Sequence, residues 1–293
     1  MRGRRGTSTS CQQADQRVMK HRFPGTTLRP LFAAILAALA LAGQPSTGRP
    51  LIAQEADPLF VRGDLVIAGA FVAGMLAARP LDRAVAERLQ VPWAQENRLL
   101  KRAASTFNFT AAPGSVIIGT TMYAVGRVGG NERLASLGLH GTEAIGVGIL
   151  ATAVIKNVVG RARPYVDVKN PRDFGFMRGW GQEKYRSFPS GHSTMAFAAA
   201  AAVTSETARW WPRSEARWAV GTAMYGGAAL VGASRMYSNK HWATDVIAGA
   251  AIGTFAGIKT VRYHREHPRN RLDRWLLTGN VSGRGVGLML LPL

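Results

Sequence analysis

Three short polar clusters interrupt an otherwise Ala- and Gly-rich sequence: KNVVGRARP at 156–164, PSGH at 189–192 and SRMYSNKHWATD at 234–245. Together they supply two histidines, His192 and His241, three fixed cations, Lys156, Arg163 and Arg235, and one carboxylate, Asp245. A metal-free site needs that set to hold a tetrahedral oxyanion, attack its phosphorus and protonate the leaving oxygen. No one cluster suffices alone.

The first cluster pairs a compact ammonium with a planar fork seven residues later, and Pro164 ends the segment. Arg suits two phosphate oxygens at once and Lys a single charge. The plainer reading is a basic patch with Arg161 as a further member. In the second cluster, PSGH precedes an apolar run expected to be a helix from about Ser193. Free amides and the positive end of the helix dipole would then face the pocket, with Gly191 allowing close approach, Ser190 offering a hydroxyl and His192 a neutral-range proton. The plainer reading is a turn and N-cap. In the third, His241 and Asp245 stand four apart. On a helix they share a face, where the carboxylate could bond one imidazole nitrogen and leave the other for phosphorus. A structural His/Asp pair is the alternative.

Elements that would position these groups are read from six apolar stretches, 65–78, 115–126, 134–155, 193–205, 218–233 and 244–258. They exceed ordinary strands, are rich in Ala, Leu and Met, and are separated by Pro, Gly or charge, which predicts helices. The expected fold is an all-α bundle of about six core helices. A signal-like segment precedes it and a short irregular or strand-like tail follows. Many Gly and Ala residues permit close helix approach. The 206–217 connection reads as a turn broken at Pro212.

With 293 residues, 47% of them hydrophobic, the chain can bury one substantial core. Its formal charge of +20 suits nucleic acid, anionic lipid or an anionic substrate. Aromatic content is only 8%, and zinc-finger spacing, RNA-binding signatures and aromatic-laced basic stripes are all missing from the sequence, so nucleic acid is set aside. The one cysteine, Cys11, gives no disulfide within the chain. Lys20, Arg22 and Arg29 precede the apolar run 31–42, and Ala40, Leu41 and Ala42 resemble a cleavage site, so 1–42 reads as a signal peptide with Met19 as an alternative start. An uncleaved anchor is the alternative. Most apolar stretches are shorter than the ~20 residues a bilayer core demands, so the expectation is an exported envelope or periplasmic protein, membrane-associated or integral, with basic surfaces near anionic lipid.

The three clusters resemble the signatures of the type 2 phosphatidic acid phosphatase and vanadium-dependent haloperoxidase superfamily. Lys156, six residues, Arg163 and Pro164 match the first; Pro189 to His192 the second; Ser234, Arg235, five residues, His241, three residues and Asp245 the third. The resemblance covers about 60–262. It implies that Lys156, Arg163, Arg235, Ser190 and Gly191 bind phosphate. By the same resemblance His241 becomes a phosphohistidine, Asp245 orients it, and His192 serves as acid and then base. The expected function is metal-independent hydrolysis of phosphomonoesters or pyrophosphates, with lipid phosphates such as phosphatidic acid and undecaprenyl pyrophosphate among the candidates. Alternatives are a haloperoxidase, in which vanadate would be the cofactor, and a noncatalytic scaffold for anionic lipid. Otherwise no cofactor and no metal are expected. The implied organisation is a signal at 1–42, a linker at 43–59, the phosphatase domain at 60–262 and a basic extension at 263–293.

Outside the motifs, His140 and Glu143 read as a satisfied polar pair, because no metal-ligand spacing joins them to other donors. His264 and His267 are placed in a basic surface segment. Trp210, Trp211 and Trp218 suit either packing or a membrane interface, and the tail from 281 has no functional reading.

Overall fold

The computed structural model describes residues 59–277 apart from 213 and 269. The signal-like segment, Cys11, most of the linker and the tail from 281 lie outside the described residues. Among the described residues the chain is all helical, in the order α1 (Arg62–Ala78), α2 (Leu81–Leu89), α3 (Pro92–Glu96), α4 (Arg98–Phe109), α5 (Ser115–Val128), α6 (Glu132–Val159), α7 (Gly191–Trp210), α8 (Ala216–Tyr237), α9 (Ala243–Glu266) and α10 (Arg271–Leu276). The six apolar stretches are α1, α5, α6, α7, α8 and α9.

Each of those helices runs beyond its apolar stretch because polar residues cap and extend it. Asn131 accepts from Leu134 N to start α6, and Gly160, in the left-handed region at φ 56°, ends it. A Cβ at Gly160 would sit 2.2 Å from Gly175 O, so only glycine fits this stop. The expected shortness of the helices is therefore corrected. The 28 residues of α6 and the 20, 22 and 24 of α7, α8 and α9 correspond to roughly 30–42 Å. Among the described residues, α6 alone is by length and composition apolar enough to cross a membrane, or two spans if the α1–α2 pair, bent by 62°, is counted as one.

α7 is the central post, packed by α6, α8 and α9. Its contact with α9 is made by backbone: Cβ atoms at Gly249, Gly253 and Gly257 would fall 2.4 Å from Ser190 O, 2.3 Å from Thr194 O and 2.5 Å from Ala201 Cβ. That stripe, spaced by four residues, is the close approach the composition foretold. Ala198, Ala202, Ile145 and Met195 fill the adjacent core. The connection between α7 and α8 is shorter than expected, because α7 continues to Trp210 and α8 begins at Ala216.

Four helices, α2, α3, α4 and α10, escaped the apolar pattern. α2 (LDRAVAERL) and α4 (RLLKRAASTFNF) are amphipathic and charged, with only one or two fully buried positions each. α2 and α4 nonetheless reach the end of the bundle that carries the three motifs.

Candidate functional site

The three motifs meet at one end of the bundle, where α6 stops, α7 starts and the α8–α9 turn passes between them. Lys156, in the last turn of α6, donates to the carbonyls of Arg186 at 2.7 Å and Pro189 at 2.6 Å. Burial first, then the nearby Arg163 and Arg186 charges, lower its pKa to about 7. Arg163 follows the Gly160 stop and meets the carboxylate of Glu183.

α7 begins two residues before the expected Ser193. Ser190 is its N-cap, accepting from Ser193 N at 3.4 Å, and its own amide donates to Asp245 O at 3.0 Å. The Gly191 and His192 amides are left in the unbonded first turn, aimed out of the helix start. His192 is drawn down to about 4 by burial and then by the charges of Arg235, Lys156 and Arg163, which places it among all three motif cations.

Arg235 lies in the last turn of α8. Its Nη1 donates to Asn108 Oδ1 at 3.0 Å, and Ser234 Oγ donates to the same oxygen at 2.9 Å. Asn108 also donates to Ser238 Oγ at 3.1 Å. This α4 residue thus fixes Arg235, although no motif pointed to it. The Nε–H groups of Arg163, Arg186 and Arg235 are buried without a protein partner. Buried guanidinium donors that lack an acceptor define a place for an oxyanion.

His241 is 3% exposed and differs from expectation in one respect. It precedes α9, which starts at Ala243, so it does not share a helix face with Asp245. His241 Nδ1 is 2.7 Å from Ser187 O and 3.7 Å from Asp245 Oδ2, so its hydrogen bond goes to the carbonyl. A carbonyl has no proton to give, so Nδ1 carries one and Nε2 holds the lone pair. Burial, followed by the Lys156 and Arg235 charges acting against Asp245, pushes His241 down to about 3. The imidazole is neutral, with its lone pair on Nε2.

Asp245 acts one layer further back. Its Oδ2 accepts from Ser187 Oγ at 2.5 Å and Trp242 N at 2.9 Å, and its Oδ1 from Arg161 Nη1 at 2.5 Å. Burial pushes its pKa up, yet Arg161 and these bonds outweigh it and hold the carboxyl at about 2. Ser187 therefore links the two motif residues, its carbonyl on His241 and its hydroxyl on Asp245. Arg161, read only as a member of a basic patch, is 3% exposed. Its Nη2 donates to Asp82 Oδ2 at 2.7 Å and its Nη1 to Thr244 Oγ1 at 2.7 Å. Asp82 in turn accepts from Thr244 N at 2.9 Å and Thr244 Oγ1 at 2.8 Å. Two carboxylates on one guanidinium form a buried brace behind the histidine.

Outside the site, two readings need correction. His140 and Glu143 are not paired with each other: His140 Nδ1 meets Glu206 at 2.6 Å, and Glu143 meets His264 Nε2 at 2.5 Å. His264 is 3% exposed and part of the bundle interior, because α9 continues past residue 262 to Glu266. Sequence distance hid both pairings.

Residues 138–269 match the PAP2 superfamily. The lipid A 1-phosphatase of Porphyromonas gingivalis is 41% identical over 71 residues, 24% of this chain and 15% of that protein. The undecaprenyl-diphosphatase of Sulfolobus acidocaldarius is 27% identical over 139 residues, 46% of this chain and 63% of that protein. The chain thus spans less than two thirds of the length of either relative. A solved PAP2-type phosphatidylglycerolphosphate phosphatase from Bacillus subtilis aligns with a TM-score of 0.48 and 22% identity, over 71% of this chain and 98% of that one. The segment that matches the PAP2 superfamily, residues 138–269, contains all three motifs in order, and the fold gathers them at one helix-end pocket.

Proposed function

We propose that this protein is a phosphatase that removes phosphate from a phosphomonoester or diphosphate, with a lipid phosphate as the substrate class. The observation that carries it is the unpartnered, buried guanidinium edge beside a neutral His241 whose Nε2 is free. Lys156, Arg163 and Arg235, with the Gly191 amide, hold the phosphoryl oxygens. His241 Nε2 attacks phosphorus, the bond to the leaving oxygen breaks, and His192 delivers its proton to that oxygen. His192 then takes a proton from water, hydroxide displaces His241, and inorganic phosphate leaves. Substrate binding prepares the acid: in the free site three cations hold His192 near 4, and the charges of a bound phosphate offset them and raise it.

The lipid assignment rests on the molecule's exterior and on the lipid-phosphate activities for which the two relatives are named. Val147, Leu150, Val154 and Val158 recur at helical spacing along the outer face of α6, where Leu150 is 70% exposed. Leu99 and Phe109 are exposed on α4, whose Asn108 touches the site. Apolar surface of this extent, near a cationic pocket, suits a phosphate carried at a membrane.

The test is a rapid acid-free quench with a radiolabelled lipid phosphate. A base-stable, acid-labile phosphoenzyme is expected in the native protein and not in His241→Ala. Label retained by the variant overturns the assignment.

A further inference from the structure

The opposite end of the bundle holds a second polar cluster that the phosphate chemistry does not use. His140 precedes Lys156 by 16 residues on α6, and His264 follows Asp245 by 19 on α9, which places the two ends roughly 24–28 Å apart. There the rings of His140 and His264 stack with centroids 4.0 Å apart and planes at 16°. Glu206 of α7, Glu143 of α6 and Asp273 of α10 surround them. Arg209 lies 3.3 Å from the second oxygen of Glu206.

Each imidazole has a carboxylate on its outer nitrogen. His140 Nδ1 is 2.6 Å from Glu206 and His264 Nε2 is 2.5 Å from Glu143. With protons held on those sides, His140 Nε2 and His264 Nδ1 present lone pairs, and both face Asp273. His264 Nδ1 is 2.8 Å from Asp273 Oδ2, and His140 Nε2 is 3.7 Å from Asp273 Oδ1. The Asn270 amide donates to Asp273 Oδ2 at 2.7 Å and stands 3.2 Å from His264 Nδ1. His140 Nε2 and Asp273 Oδ1, on residues 5% and 6% exposed, have no hydrogen-bond partner.

One donor atom from each of His140, His264 and Asp273 lies within 4.8 Å of the others. Two metal bonds of ~2.0–2.2 Å span the 3.7 Å gap between the unpartnered atoms. A histidine that binds metal usually gives its other N–H to a carboxylate, which is the role Glu206 and Glu143 have here. Protonating both rings fully would stack two cations face to face, and a proton on His264 alone leaves His140 Nε2 and Asp273 Oδ1 without a partner. A single divalent ion answers both lone pairs and the surplus of carboxylates.

We propose that His140, His264 and Asp273 bind one divalent ion of the zinc class, a structural site that fastens α10 to the ends of α6, α7 and α9. Two imidazoles and a carboxylate are a zinc-type ligand set. Water completes the coordination from the open cavity lined by Glu143, Tyr263, His267 and Asn270. The ion takes no part in hydrolysis, so this proposal stands or falls apart from the phosphatase reading.

The experiment uses untagged full-length protein, with metal content by mass spectrometry, visible absorption after cobalt loading, and thermal unfolding with and without zinc. Native protein is expected to retain stoichiometric zinc, to show a cobalt band, and to unfold at lower temperature after chelation with recovery on zinc addition. Glu206→Gln, which changes the partner of His140 Nδ1 and none of the three ligands, should weaken zinc binding roughly 10–100-fold. His140→Ala should abolish the cobalt band while leaving kcat on a soluble phosphate ester at its native value below the unfolding range. Folded native protein that retains no zinc, and whose unfolding temperature zinc raises no more than magnesium does, overturns the proposal. So does a cluster that is stabilised by acidification alone.

Discussion

The carbonyl of Ser187 lies 2.7 Å from His241 Nδ1, while the hydroxyl of the same residue lies 2.5 Å from Asp245 Oδ2. One backbone carbonyl thus fixes the tautomer of His241, and one hydroxyl couples that peptide to the buried carboxylate. Ser187→Ala keeps the carbonyl and removes the hydroxyl. The loss of a buried hydrogen bond to a charged group, worth about 1.5–3 kcal/mol, predicts a fall in kcat of roughly 10–100-fold with KM little changed. Steady-state kinetics check this; a native kcat would show that the hydroxyl does not transmit the position of Asp245.

The brace behind His241 gives a second expectation. Asp82 contacts Arg161 and Thr244 and makes no contact with the motif histidines. Burial raises its pKa despite the Arg161 charge beside it. Asp82→Asn removes one of two carboxylates from Arg161, and the remaining one, Asp245, is then held more tightly by the guanidinium and less well aligned with Ser187. The expected signature is a kcat reduced about tenfold or more, an unchanged anion affinity, and a shifted pH profile. Equal losses in kcat and in vanadate affinity would instead indicate collapse of the pocket.

Anion binding should depend on pH with a definite sign. Lys156 is lowered to about 7 by burial and by Arg163 and Arg186, so in the free site it loses its charge as pH rises through that value. A bound phosphate or vanadate favours the protonated form. Affinity for vanadate is therefore expected to weaken as pH rises above about 7, with proton uptake on binding. Calorimetry in buffers of different ionisation enthalpy measures that uptake. Lys156→Met should bind more weakly and lose the slope; a slope retained in that variant would assign the proton elsewhere.

Glu183 occupies one side of Arg163. Its side chain is 69% exposed, so the pair is screened by solvent and contributes little to stability. It does compete with an incoming oxyanion. Glu183→Gln is expected to tighten inorganic phosphate inhibition a few-fold without altering thermal stability, which inhibition kinetics and a melting curve check together.

Gly253 supplies a stability prediction. A Cβ there would stand 2.3 Å from Thr194 O and 2.8 Å from Ala198 N, both backbone atoms of α7. Gly253→Ala forces the helices apart and should destabilise by about 1–3 kcal/mol or more. Gly74, with open space around its position, is the control and should tolerate alanine.

Local patterning made the six principal helices and the motif residues legible, because helical periodicity and cap chemistry are short-range. Pairings across the fold were not. Asp82 comes from a short charged helix, 79 positions before Arg161, and Asn108 lies 127 before Arg235. His140 and Glu143, three apart, looked like partners, yet each turns to a different helix. The spacing of His241 and Asp245 suggested a shared helix face, and the start of α9 at Ala243 removed it. Ser187 stood two positions before PSGH, and only its carbonyl's direction in space shows what it does.

The Gly249, Gly253 and Gly257 stripe has a consequence for how this sequence can change. Main chain rests on main chain along the α7–α9 seam, so the offset between the turns bearing His192 and His241 is set like a machined key in its slot. Substitutions on the outward faces, such as Val147 or Leu150 of α6, can accumulate without moving either histidine. A lineage could thus exchange its entire outer coat while the three glycines keep the two histidines in register.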